Sequence, residues 1–143
     1  MKNTYKPNNA MKSACERGLK LRKEYGRGGT LVGVARARDI TNDKMLPIET
    51  VARMYSFFKR HEVDKQANGW KESDNKYPSN GLIAWLLWGG DPGFKWSTRI
   101  WEKYKEENKS VSNYEHIFDN IKDTDDDLLI KLLLNTISKN NEN

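Results

Sequence analysis

Ser79-Asn80-Gly81-Leu82-Ile83-Ala84-Trp85-Leu86-Leu87-Trp88-Gly89-Gly90-Asp91 decides how the rest of the chain is read. From Leu82 to Trp88 every residue is apolar. Ser79 stands where a cap is wanted, since its hydroxyl can accept from a free N–H of the first helical turn. Gly89-Gly90 supplies the stop, because glycine takes the left-handed conformation that ends a helix. A helix over 80–88 that is apolar nearly all round has no face to give to water, so its neighbours must wrap it. Asp91 then reads as the cap of a fifth helix with Pro92 at its first position. That helix carries Phe94, Trp101 and Tyr104 on one side and fades in the charged run 103–109.

Working back from this centre, a third helix begins near Pro47 and runs to 63. Ile48, Val51, Tyr55 and Phe58 form its stripe, and Met54 and Phe57 widen it, which predicts a central position. Residues 64–78 are polar and punctuated by Asn68-Gly69 and Tyr77-Pro78, so they form the longest loop. Trp70 within it is expected to fold back on the core. A first helix spans 10–25, with Ala14, Gly18, Leu21 and Tyr25 at helical spacing. Gly26-Arg27-Gly28-Gly29-Thr30 turns the chain, and Thr30 caps a second helix over 31–40. Its alanines and arginines favour a helix over a strand. Leu31, Val34 and Ala35 are its expected packing face. Arg38 shares that face and is expected to be drawn inward and paired with Asp39, Asp64 or Asp91.

Beyond 110, Ser112-Asn113-Tyr114-Glu115 is a capping box. It opens a sixth helix with Ile117, Phe118 and Ile121. Thr124 with Asp125, Asp126 and Asp127 opens a seventh, whose body is 128–137, the acids complementing the helix dipole. The reading is therefore all-α: a compact single domain of about six to seven short helices. Residues 1–9 form a flexible tail, 10–109 a basic helical module, and 110–143 an acidic helical extension packed on it.

A chain of 143 residues can bury enough surface to fold without staples. The single Cys15 cannot form an internal bridge and suits a reducing compartment. No apolar run approaches the roughly 18 residues of a membrane span, and the N-terminus lacks the apolar core of a signal peptide. Charge is uneven. Residues 1–60 hold 14 Lys/Arg against 5 Asp/Glu, 61–109 are balanced at 8 each, and 110–143 hold 3 against 7. A basic half attracts polyanions, of which nucleic acid is the commonest; the same charges also suit a solvated helix face.

The glycine turn is the most suggestive element. Gly28, Gly29 and Thr30 offer backbone amides at a helix N-terminus, and Lys23, Arg27, Arg36 and Arg38 add cations. Together these suit a phosphate. The turn lacks the preceding strand and the Gly-Lys-Ser/Thr ending of a phosphate loop, and a plain inter-helix corner explains it as well. Lys59 and Arg60 are outlying members of the same candidate anion site. Arg60-His61-Glu62-Val63-Asp64-Lys65 mixes acid, base and imidazole, but position 65 is lysine where a zinc-protease helix needs its second histidine. His116 belongs to another helix, so no metal site is expected. Asp123, Asp125 and Asp127 alternate like a calcium loop, which fails at Leu128 and Leu134. Cys15 has no histidine near it in sequence and reads as a small apolar residue. The five tryptophans read as core.

Residues 11–101 resemble a helical module of phage and prophage proteins. The matching pieces are Gly18-Leu19-Lys20-Leu21-Arg22, Gly26-Arg27-Gly28-Gly29-Thr30, Val32-Gly33-Val34-Ala35-Arg36-Ala37-Arg38-Asp39, Arg60-His61-Glu62-Val63-Asp64-Lys65 and the stretch Pro78 to Asp91. In similar phage chains the module sits near capsid-maturation or other virion polypeptides. The resemblance implies a phage or prophage origin, and a location in the host cytoplasm or the virion. It brings no activity and no catalytic residue.

Three functions follow as expectations. The first is a binding module contacting DNA, RNA or another virion component, with no membrane and no cofactor. The second is a structural subunit that packs its apolar 128–137 helix on a partner or on itself. The third is an enzyme acting on a phosphorylated or nucleotide substrate, Arg27 and Arg38 holding the anion and His61, Glu62 or Asp91 supplying acid–base chemistry.

Overall fold

A computed structural model describes residues 4–108 together with residues 134 and 135. Five α-helices occur among them: α1 (Asn9–Tyr25), α2 (Leu31–Thr41), α3 (Ile48–His61), α4 (Asn80–Leu87) and α5 (Gly90–Glu107). A 3-10 turn over Glu62–Gln66 continues α3. The expected sixth and seventh helices fall outside the described residues, except that Leu134 and Asn135 are helical and Leu134 packs against the core.

The apolar helix is indeed the centre. Leu82, Ile83, Trp85, Leu86 and Leu87 of α4 are buried, and Ser79 Oγ accepts from the Leu82 amide at 3.0 Å as its sequence position predicts. α1 packs along α4, α3 packs along α5, and α2 leans on α1 and α4. Phe57 and Phe58 of α3 reach across to α4. Phe57 stacks on Trp88 at 4.7 Å and Phe58 meets Trp85 edge-on at 4.8 Å. Trp70 folds back from the loop onto Trp85 at 5.7 Å, and Trp85, Trp88, Trp96 and Trp101 are buried.

Within the expected tail of residues 1–9, the described residues 4–8 are not loose. Thr4–Tyr5 (β1) pairs antiparallel with Leu46–Pro47 (β2), matching Thr4 to Pro47 and Tyr5 to Leu46. Trp96 Nε1 donates to the Lys6 carbonyl at 3.2 Å, and Pro7 is buried. A buried indole N–H needs an acceptor, and the arriving chain supplies one. Asn8 caps α1 by accepting from the Met11 amide at 2.9 Å.

Two further expectations are corrected. Asp91 does not cap α5; Gly89 occupies the cap position. The Asp91 carboxylate instead accepts from Trp85 Nε1 at 2.9 Å and pairs with Lys65 Nζ at 2.8 Å, tying the loop after α3 to the corner between α4 and α5. On α2 the buried residues are Gly33, Arg36, Ala37 and Ile40, while Leu31, Ala35 and Arg38 are exposed. Trp88 is the reason. A Cβ on Gly33 would lie 3.3 Å from Trp88 Nε1, so α2 meets the edge of the indole at a residue without a side chain. Packing by size has overridden packing by hydrophobicity.

Candidate functional site

α1 and α2 form an antiparallel hairpin. Its closed end is the glycine corner, where Arg22 Nε donates to the Gly28 carbonyl at 3.0 Å. Its far end is held by Lys12 Nζ on Asp43 Oδ2 at 2.9 Å. Thr30 Oγ1 accepts from the Gly33 amide and so caps α2.

The corner is pressed onto α4. Gly28 and Gly29 adopt φ values of +96° and +73°, which disfavour a side chain. A Cβ there would lie 2.7 Å from Ile83 Cβ and 2.6 Å from Leu87 Cδ1 respectively. Close packing therefore accounts for both glycines, and the corner is a packed joint between α1, α2 and α4.

The cations divide into three groups. Lys23, Arg27 and Arg38 are exposed on the hairpin, and Lys20 joins them. Arg27 Nη1 donates to Asn80 Oδ1 at 2.7 Å, and its guanidinium stands over the Tyr25 ring at 5.5 Å. These contacts orient the guanidinium and leave its charge unneutralised. Arg36 is the buried arginine, only 8% exposed, over the Trp88 ring and 3.3 Å from Asp39 Oδ2. The inward position expected for Arg38 thus belongs to Arg36, two residues earlier. None of the carboxylates expected for Arg38 pairs with it: Asp39 serves Arg36 and Lys44, Asp64 serves His61, and Asp91 serves Lys65. Lys59 is exposed and Arg60 half-buried on α3, which packs chiefly on α5 and stands apart from the hairpin.

His61 Nδ1 lies 3.2 Å from Asp64 Oδ2, and the imidazole lies over Phe57 at 4.5 Å. Asp64 abuts Gly81 at the start of α4, where a Cβ would be 3.0 Å from its Oδ2. The first turn of α4 thus has Arg27 bound through Asn80 and the His61–Asp64 pair against Gly81. Asp91 is taken up by Lys65 and Trp85. Clefts of the described surface lie along α5, one lined by Phe94, Lys95, Arg99 and Lys103 and another by Tyr5, Arg99 and Tyr104, and in the 65–75 loop. None of these three contains Arg27, Arg38 or His61. Among the described residues no three His, Cys, Asp or Glu side chains gather as a metal-ligand set, and no helix is long and apolar enough to cross a membrane. His116 and the Asp123–Asp125–Asp127 alternation lie outside the described residues.

Partial burial alone would raise the Asp91 carboxyl. Hydrogen bonds from Lys65 and Trp85, helped by the charges of Lys65 and Lys95, outweigh it and hold the group below the ordinary carboxylate range. Cys15 moves the other way. Its side chain is fully buried, it donates to the Leu87 carbonyl at 3.4 Å, and burial, then the charge of Glu16, pushes the thiol up to about 12. The thiolate is the reactive form, so a disulfide-exchange dye should leave Cys15 unlabelled in the folded protein at pH 8 and label it fully in denaturant. Rapid labelling of the folded chain would contradict this packing.

What the sequence reading missed is apolar. Tyr25, Leu31 and Val32 are 43%, 78% and 53% exposed and bracket the glycine corner. Their signal was present, since Leu31 and Val32 precede Gly33, but hydrophobicity had assigned Leu31 to the interior. Comparisons with protein-family models, with curated proteins and with solved structures find no match.

Proposed function

We propose that the chain is a binding module that takes an anionic macromolecule on the outward face of the α1–α2 hairpin, with DNA or RNA, or an acidic virion component, as the partner. One observation carries this reading. Lys20, Lys23, Arg27 and Arg38 are exposed there, and no carboxylate among the described residues pairs with them. Over residues 17–38 the chain holds seven Lys/Arg and a single acid, Glu24. So concentrated a positive face raises the local concentration of an anionic partner and speeds encounter. A phage or prophage origin belongs to the same proposal and rests on the sequence resemblance. The enzymatic reading has less support, because it needs Arg27 and Arg38 at one anion beside His61 or Asp91.

Fluorescence anisotropy with labelled duplex DNA and RNA tests the proposal. At low ionic strength binding is expected, and it should fall steeply with added salt as counterions are released. Changing Lys20, Lys23, Arg27 and Arg38 together to glutamine should flatten the slope of log K against log salt by roughly three to four units. Lys59→Gln, on α3, should leave it unchanged. Absence of binding to either nucleic acid and to an acidic polypeptide at about 50 mM salt, where phosphate contacts are strong, would refute the module's electrostatic basis.

A further inference from the structure

Three of the five large hydrophobic side chains exposed among the described residues, Tyr25, Leu31 and Val32, border the glycine corner. Leu31, Ala35 and Arg38 follow one another at helical spacing along the outward side of α2, with Val32 beside Leu31. The ridge is thus leucine and valine at one end, alanine in the middle and arginine at the other. It carries no acid of its own, since the nearby Asp39 is turned to Arg36 and Lys44. Lys20 and Lys23, in the last turns of α1, lie alongside the start of α2 because the hairpin is antiparallel.

Resting on the electrostatic reading above, we infer that this ridge docks an acidic amphipathic α-helix of another polypeptide. Each part of the ridge points to that occupant. Exposed leucine and valine gain by leaving water only if the partner is apolar opposite them. A phosphate backbone offers them nothing of the kind. Ala35 leaves room for close approach, which a packed helix exploits when its side chains interdigitate with those of the facing helix. The bordering cations match carboxylates on the flanks of such a helix and set its orientation and its rate of encounter. The result is an apolar centre with a charged rim, the usual anatomy of a protein interface.

The test uses the full chain and two labelled synthetic peptides of identical composition. One places its leucines on a single helical face with glutamates elsewhere; in the other the order is scrambled. The amphipathic peptide is expected to bind roughly tenfold tighter or more than the scrambled one, as for loss of interface anchors. It should also shift the amide resonances of Leu31, Val32 and Ala35. Leu31→Ser combined with Val32→Ser, both exposed and so expected to leave the circular dichroism spectrum unchanged, should erase the difference between the peptides. Lys20→Gln with Lys23→Gln should weaken both peptides alike. Equal binding of the two peptides would overturn the ridge and leave the electrostatic reading standing. Duplex DNA binding that weakens in the Leu31/Val32 variant would assign the ridge to nucleic acid and overturn the inference. If no peptide and no nucleic acid binds, both readings fall together.

Discussion

Alanine at Trp85 is expected to cost about 3–5 kcal/mol of stability, the range for truncating a buried aromatic. That is a large share of the 5–15 kcal/mol that holds an ordinary domain together. The side chain is 1% exposed and touches four parts of the fold. It meets Phe58 of α3 at 4.8 Å, Phe94 of α5 at 5.6 Å and Trp70 of the loop at 5.7 Å, and Lys65 Nζ lies over its ring at 4.8 Å. Its indole N–H also holds Asp91, whose carboxylate secures Lys65. Removing the ring therefore leaves a cavity at the centre and frees the loop anchor together. Trp85→Phe separates the two effects. It keeps an aromatic ring but not the donor, so a loss of about 1–2 kcal/mol is expected, the scale of one hydrogen bond and some lost volume. Urea unfolding followed by far-ultraviolet circular dichroism measures both. A Trp85→Ala loss within the ±0.5 kcal/mol typical of surface sites would show that α4 is not the core helix.

That helix was legible in the sequence because every cue there agreed. The apolar run, the Ser79 cap and the Gly89-Gly90 stop point to one answer, and local consistency of this kind is what makes a segment readable. The stripe of α3 and the inward Trp70 were legible for the same reason. The outward face of α2 was not. A periodicity argument ranks side chains by apolarity and would bury Leu31 before Gly33. The fold buries Gly33 because Trp88 already fills the space beside it, and the identity of that neighbour is not written near α2. Arg36 follows from the same rotation: with Gly33 facing the indole, the residue three places on faces it too, and its guanidinium lies over the ring.

Residues 4–5 and Asp91 were misread for another reason. Capping and tail assignments use only near neighbours, whereas β1 finds its partner some forty residues away at β2. Asp91 finds Lys65 across the loop. The candidate site inherits both lessons. The glycine corner looked like a phosphate cradle because glycine and helix N-terminus coincide there. Its glycines are explained by contact with Ile83 and Leu87, while the cations around it stay exposed and carry the binding proposal.

Gly18→Ala tests the backbone-to-backbone approach of α1 to α4, and the sign of its effect is the informative part. Alanine in mid-helix is favoured over glycine by about 1 kcal/mol, so at an unconstrained position the change would stabilise α1. At Gly18 a Cβ would lie 2.8 Å from the Leu87 nitrogen and 3.0 Å from the Leu86 carbonyl carbon. Both are backbone atoms of α4 and cannot rotate away, so α1 and α4 must separate. Overpacking of this kind costs typically 1–3 kcal/mol, enough to reverse the helix-propensity gain. The separation has a local signature. Cys15 lies one turn before Gly18 and donates to the Leu87 carbonyl, so moving α4 outward should expose its thiol and speed labelling at pH 8. Gly18→Val, with two more methyl groups in the same gap, should lose more than alanine does, and Ser13→Ala on the exposed side of α1 should lose nothing. A Gly18→Ala protein that melts higher than the parent, with Cys15 still protected, would mean that α1 and α4 do not meet at backbone distance.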